Sequence, residues 1–284
     1  MMHFPAEASR VSLQKTYKPN GPYPPIGFLP FSDHNLGNGD TFGLYWPVGR
    51  ESQPPLVAEI WHDNWALVPH FSSLGRFLEA TANLEEESGY VPSPSLSHDP
   101  ESPRSCLEGA KEKLGQQQLD EAVGFLETAV AVLPEYTEAH ALLCLQYRRL
   151  KREDDAIRAA VKAIISPPCF GGRPVQLLRW FSTLTSCPAE INANPIWQHR
   201  QELKLRFGGE KLNDDYSILY AAIEYYVSEH MAAEAVTLNQ TYGELMVRET
   251  VSFQERHGFV LADFVPTQAK LGASLLGKSR ATWD

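Results

Sequence analysis

Residues 119–134, LDEAVGFLETAVAVLP, and residues 153–168, EDDAIRAAVKAIISPP, repeat one pattern of acidic, small and closing residues. Ala122 and Ala156, Ala129 and Ala163, and Pro134 and Pro168 each stand 34 positions apart. Leu119-Asp120-Glu121-Ala122 precedes Glu153-Asp154-Asp155-Ala156 by the same 34. Alanines seven apart share one helical face, where a methyl group lets a partner helix approach closely. Proline lacks the N–H that a further turn needs, so each helix stops there. Residues 105–168 are therefore predicted to form helical hairpins of one design.

A repeat of about 34 residues with small side chains inside paired helices is the signature of tetratricopeptide arrays, and residues 105–168 resemble two such repeats. In the second copy Ala139, Leu143 and Tyr147 take family-like places, with Cys144 where glycine is usual. In the first, Leu107 and Leu114 form an apolar stripe without the family's aromatic residue. The resemblance implies a helical scaffold, and peptide binding is one role of such scaffolds. A four-helix stack that only builds core is the plainer alternative.

Upstream the pattern changes from helical to alternating. Residues 1–25 have little periodicity and end in a turn-rich NGPYPP. Apolar runs Ile26–Phe31 and Thr41–Val48 flank a loop of Asn35, Gly37, Asn38, Gly39 and Asp40, residues that tolerate positive φ. Arg50–Pro55 makes a second turn before a strand at Leu56–Trp61. His62-Asp63-Asn64 makes a third before Trp65–Val68. Ser72 or Ser73 then caps a short helix whose Leu74, Phe77 and Leu78 share a face. Together these predict a small antiparallel sheet closed by a helix.

The stretches FLPFSDHNLGNGDTFGLYW (28–46) and LVAEIWHDNWALVPHFSSLGRFLEA (56–80) resemble the SMI1/KNR4 family of the SUKH superfamily. The likeness lies in Gly39-Asp40-Thr41-Phe42-Gly43-Leu44, the polar turn after Trp61, and the Ser-rich cap before the Phe77-Leu78 helix. It spans roughly residues 23–82, without the family's usual N-terminal helices in residues 1–22. The resemblance implies a bacterial immunity protein, one that neutralises a polymorphic toxin delivered between competing cells.

Composition excludes several classes. With 284 residues there is room for two compact units, and 43% hydrophobic content is ordinary for a globular chain. A net charge of −10 argues against binding to a phosphate backbone, so no nucleic acid is expected. Cys106, Cys144, Cys169 and Cys187 are scattered, with neither a C-x-x-C pair nor a metal-ligand spacing, so no metal and no cofactor is expected. MMHFPAEASR lacks the layout of a signal peptide, and no run of about 18 apolar residues offers a membrane span. A cytoplasmic protein is the expectation.

Two motifs suggest chemistry and fail on context. Gly272–Ser279, GASLLGKS, satisfies G-x-x-x-x-G-K-S, but too little chain follows Ser279 for the helix a phosphate-binding loop needs. His62 beside Asp63, with His70 nearby, has no serine or cysteine nucleophile in an elbow motif. Tyr220, Tyr225, Tyr226 and Tyr242 read as packing at the edge of helices rather than a base-stacking platform. The chain is not expected to be an enzyme.

The architecture read from sequence is α+β. A SUKH-like unit spans 1–82, a Pro/Ser/Glu linker 83–104, and two tetratricopeptide-like repeats 105–168. Further helices follow at 169–270, among them Pro174–Thr185, Ile196–Phe207 and Leu238–Phe253, and a flexible tail at 271–284. Residues 1–100 hold 11 acidic and five basic residues. Asp33, Asp40, Glu59, Trp61, Asp63 and Trp65 form the candidate partner-binding group, since negative charge speeds encounter with a basic surface and tryptophan anchors it. The expected partner is a cognate toxin domain whose active site or basic substrate cleft is occluded. The alternative is a tetratricopeptide-type scaffold or chaperone adaptor that holds a peptide. Burial of Trp61 and Trp65 in the sheet core is the plainer reading of those residues.

Overall fold

Between Phe28 and Phe71 short apolar runs alternate with turn formers, and they fold as an antiparallel meander. Its strands are β1 (Phe28–Asn35), β2 (Thr41–Tyr45), β3 (Leu56–Trp61) and β4 (Ala66–Phe71), hydrogen-bonded in that order. The computed structural model describes residues 2–35, 37–82, 91–207, 215–276, 280 and 283. Helix α1 (Leu74–Thr81) starts at Ser73, whose Oγ accepts the Arg76 N–H. Its Phe77 ring lies 5.5 Å from Phe31, 5.5 Å from Phe42 and 5.6 Å from Phe71. One aromatic side chain thus seats the helix on three strands.

The helices that follow are α2 (Pro103–Gly115), α3 (Leu119–Val132), α4 (Thr137–Arg149), α5 (Glu153–Ile165), α6 (Val175–Phe181), α7 (Pro195–Gln198), α8 (Asp215–Ser228), α9 (Ala232–Met246), α10 (Val251–Arg256) and α11 (Leu261–Leu276). The fold is α+β, as the sequence implies. The 34-residue offset is an offset of helix starts, from 103 to 137 and from 119 to 153. Ala122, Ala129, Ala156 and Ala163 are all fully buried.

The two hairpins of this period and a third, α8–α9, share one turn. After α2, Gln117 has φ 63°, and the Gln118 N–H reaches back to the Lys113 carbonyl at 2.9 Å. After α4, Lys151 has φ 59° and the Arg152 N–H reaches Tyr147 at 2.9 Å. After α8, His230 has φ 59° and the Met231 N–H reaches Tyr226 at 2.8 Å. This six-to-one closure around a left-handed residue satisfies carbonyls left open by the ending helix. Glycine usually fills that place, so a rule keyed to glycine passes over all three turns.

Contacts divide the chain into two compact units. The first holds Met1–Pro19, Pro24–Pro134 and Arg280–Asp284, and the second holds Asn20–Tyr23 and Glu135–Ser279. Hairpin α2–α3 therefore belongs with the sheet, α2 packing on β4. The stretch with linker-like composition at 83–104 lies outside the described residues over 83–90, and thereafter it is anchored. Asp99, 2% exposed, accepts the Ser72 N–H at 2.7 Å and its hydroxyl at 2.6 Å. Buried Ser102 caps α2 by accepting the Ser105 N–H at 3.0 Å.

In the second unit α9 is the centre, every residue from Ala235 to Met246 being buried. Its polar groups must then find partners inside the protein. Thr241 Oγ1 donates to the Ile165 carbonyl at 2.6 Å, and Asn239 Nδ2 donates to Gln268 Oε1 at 3.1 Å. Buried Glu244 has Arg248 at 3.3 Å and takes hydrogen bonds from Cys169.

The helix expected over Ile196–Phe207 is limited to α7, with turns following directly over 199–202. Leu205 has φ 51°, a left-handed backbone that a continuing right-handed helix does not hold. The tail expected from 271 is helical through Leu276, and Arg280 beyond it is buried. Gly272–Leu276 of the phosphate-loop-like motif lies in α11, where amides are committed to the helix; 277–279 lies outside the described residues. Among the described residues no helix is long and apolar enough to cross a membrane, and no cluster of His, Cys, Asp or Glu is arranged to hold a metal.

Two outcomes follow from these packings. Lys151→Gly removes the Cβ crowding of a left-handed residue and should stabilise the chain by about 0.5–1 kcal/mol; calorimetric melting checks it, with Lys151→Ala as the control that gains nothing. Burial pushes the Glu244 carboxyl up to about 7 against the pull of Arg248 and Cys169, from an ordinary 4.5. A carboxyl raised on folding contributes stability in full below its unfolded value and loses it as pH rises to the folded value. A loss of up to roughly 3 kcal/mol between pH 4.5 and 7 is expected. Glu244→Gln should flatten that pH dependence of the melting temperature.

Candidate partner-binding site

The β1–β2 and β3–β4 turns meet at one end of the sheet because Thr41 pairs with Ile60 and Trp61 with Ala66. There Asp40 is tied to the facing turn. Its Oδ1 accepts the His62 N–H at 2.9 Å and lies 2.9 Å from His62 Nδ1, while Asn38 Nδ2 donates to its Oδ2 at 2.8 Å. His62 Nε2 lies 2.9 Å from Asp63 Oδ1. The imidazole is thus held between two carboxylates.

Gly39 makes this possible. With φ 97° it lies beneath the His62 ring, and a Cβ there would come within 2.8 Å of Cε1. The Gly39-Asp40 pair therefore has a mechanical reason: glycine leaves room for the ring and aspartate fastens it.

The charges follow from the contacts. The hydrogen bond to Asp40 leads in raising the His62 pKa above 6.5, solvent loss opposes it, and the Asp63 charge adds to it. For Asp40 solvent loss works upward, but the His62 and Asn38 bonds together hold the carboxyl below its usual range. With His62 protonated the trio carries one net negative charge, and with it neutral, two. A histidine raised on folding strengthens the fold below its unfolded value, and that contribution disappears as pH climbs through the folded value.

Below the tip lies a buried polar node. Glu59, 6% exposed, accepts the Trp61 Nε1–H at 2.7 Å and faces His70 Nε2 at 2.8 Å. His70 is the extra residue of a bulge, since Val57 pairs with Phe71 and Ala58 with Pro69. A bulge re-aims a side chain, here toward Glu59. Arg104 NH1 of α2 lies 3.0 and 3.1 Å from the two ring nitrogens. Burial leads in lowering the His70 pKa, with Arg104 in support and Glu59 opposing. The ring is neutral at pH 7 and donates Nε2–H to Glu59.

The six residues singled out in the sequence thus separate into roles. Asp40, Asp63, Trp61 and Trp65 share the tip; Asp63 is 92% exposed on its side chain and Trp65 is 36% exposed. Glu59 sits beneath and orients Trp61. Asp33 is elsewhere, accepting the Ser12 N–H at 3.2 Å along β1. Trp65 has φ 56°, a left-handed backbone that costs a bulky residue roughly 1–2 kcal/mol. His62, set aside in the sequence for want of a nucleophile, is the centre of the tip. Its role was signalled only by Gly39, whose missing side chain makes its seat. NMR titration of His62 should give a pKa above 6.5, and Asp40→Asn should bring it down.

A family model described as the YfbP N-terminal domain matches residues 13–90, and one described as the YfbP C-terminal domain matches residues 206–282. The first encloses the whole tip and Glu59. A protein of Escherichia coli strain K12, described as uncharacterized protein YfbP, is 34% identical over 265 residues, which cover 92% of each chain. These matches leave the likenesses to SMI1/KNR4 and to tetratricopeptide repeats as readings of the residues. The chain belongs to the YfbP family.

Proposed function

We propose that the chain is a cytoplasmic binding protein that works by affinity rather than turnover, its sheet tip engaging a basic protein partner. The observation that carries the reading is the tip itself: an exposed tryptophan held on left-handed backbone beside a carboxylate pair that clasps His62. Strained backbone persists where the surroundings impose it, and functional sites are where such residues concentrate. Trp65 offers an anchor and Asp63 a charge, a combination that suits a cationic cleft. The resemblance to SMI1/KNR4 makes a toxin domain the partner of choice, with the chain as the immunity protein that occludes its active site or substrate cleft.

A second reading rests on a different observation. In the second unit a groove of about 530 Å³ is lined by Val161, Ile165, Ile191, Tyr225, Tyr226 and Met231, together with the charged Arg158, Lys162, Glu190, Glu229 and Glu234. Tetratricopeptide-like hairpins with such a groove suit an adaptor that holds an apolar peptide segment. Tyr226 itself is buried, its hydroxyl 2.7 Å from Asn194 Nδ2, so it shapes the groove wall.

Co-expression with the protein encoded next to this chain in its genome separates the two. Under the first reading the pair forms a one-to-one complex and the chain rescues growth. Trp65→Asn, which suits the left-handed backbone, should keep or raise the melting temperature while weakening the complex at least about tenfold. Asp63→Lys should weaken it further at low salt than at high salt. Full affinity in both variants would remove the tip from the interface, and loss of affinity on changing Met231 alone would move it to the groove.

A further inference from the structure

Arg280 is among the most enclosed side chains of the first unit, at 1% exposure, although 145 residues of the second unit (135–279) separate it from the rest of its own. Its NH2 donates to the Trp46 carbonyl at 2.9 Å and the Ile26 carbonyl at 3.1 Å, and its NH1 donates to the Pro47 carbonyl at 3.3 Å and to Glu51. Burial pulls the guanidinium down to about 10, which leaves it charged at neutral pH. Three residues on, the Trp283 ring stacks on Trp46 at 5.8 Å and 25°, and Met2 pairs with Trp283 as an isolated bridge. Phe4 meets Trp46 edge-on at 6.1 Å.

The receiving side is shaped by residues of its own. Glu51 Oε1 is held by the Gly49 N–H at 3.0 Å within the Pro47–Glu51 turn, so the carboxylate is placed without help from the arginine. Gly27, at φ 114°, leaves a gap in which a Cβ would come within 2.7 Å of Arg280 NH2 and 2.8 Å of the Trp46 carbonyl. Backbone carbonyls converge there with one carboxylate, which is how a planar guanidinium is recognised by direction as well as by charge. Arginine and tryptophan are the residue types that dominate the energetics of docked peptides.

We propose that this socket is a peptide-recognition site for an Arg-x-x-Trp sequence, which the chain fills with its own Arg280 and Trp283. The tail behaves as a tethered ligand rather than as core. A tethered ligand holds its site at a high effective concentration and excludes the same sequence offered from outside.

The full-length Arg280→Ala/Trp283→Ala chain empties the socket. A fluorescent peptide LGKSRATWD, residues 276–284, should bind this variant one to one and quench Trp46. It should bind the parent chain at least about tenfold more weakly, and its Arg→Ala form should bind neither. A folded variant that ignores the peptide, or one that takes the Arg→Ala peptide equally, overturns the proposal. If the variant melts early, the peptide in trans should restore its melting temperature, and failure to do so assigns Arg280 to the core instead. Glu51→Gln gives an independent reading: the tail should become open to carboxypeptidase with the far-ultraviolet spectrum unchanged, and continued protection counts against the socket.

Discussion

A carboxylate taken out of water must be met by donors or take up a proton, and Glu59 is a buried acid of the first unit on which two side chains converge. It sits in the middle of β3, takes the indole N–H of Trp61 on one side and the neutral His70 ring on the other. Arg104 brings α2 to the same point, and Ser102 at the start of that helix donates to the His70 carbonyl. Each charged hydrogen bond of this kind is worth about 1.5–3 kcal/mol, and removing one partner costs more because the other is left unpaired. The bulge at His70, the start of α2 and the indole of Trp61 thus meet around one acid.

That arrangement makes the surface chemistry dependent on the interior. Trp61 is directed by Glu59, Trp61 starts the turn that carries His62 and Asp63, and His62 closes onto Asp40 across the gap left by Gly39. The tip is therefore a preset shape. A partner that docks there meets groups already positioned, which lowers the ordering cost of association.

The sheet was legible because its strands are short apolar runs separated by Gly, Asn, Asp and Pro; the meeting of its two end turns appears only in the strand register. The helical hairpins were legible from alanines and prolines at a fixed spacing. Their common turn was not, because Gln117, Lys151 and His230 adopt a conformation that residue type does not announce. The placement of Glu59 escaped a surface reading because an acid next to tryptophans looks the same in sequence whether it is buried or exposed; only the bulge at His70 decides. Ile196–Phe207 was read as one helix because residue type does not announce the left-handed backbone at Leu205. Arg280 and Glu51 stand 229 positions apart, beyond any local pattern.

We propose that the sheet tip is the surface by which this YfbP-family chain meets a partner. Hydrogen–deuterium exchange, run on the chain alone and on its complex with the co-expressed neighbour, tests it most directly. Slowed exchange at residues 37–42 and 61–66, with the strands beneath unchanged, is the predicted result. Protection confined to the second unit, with the tip exchanging as freely as in the isolated chain, would contradict it.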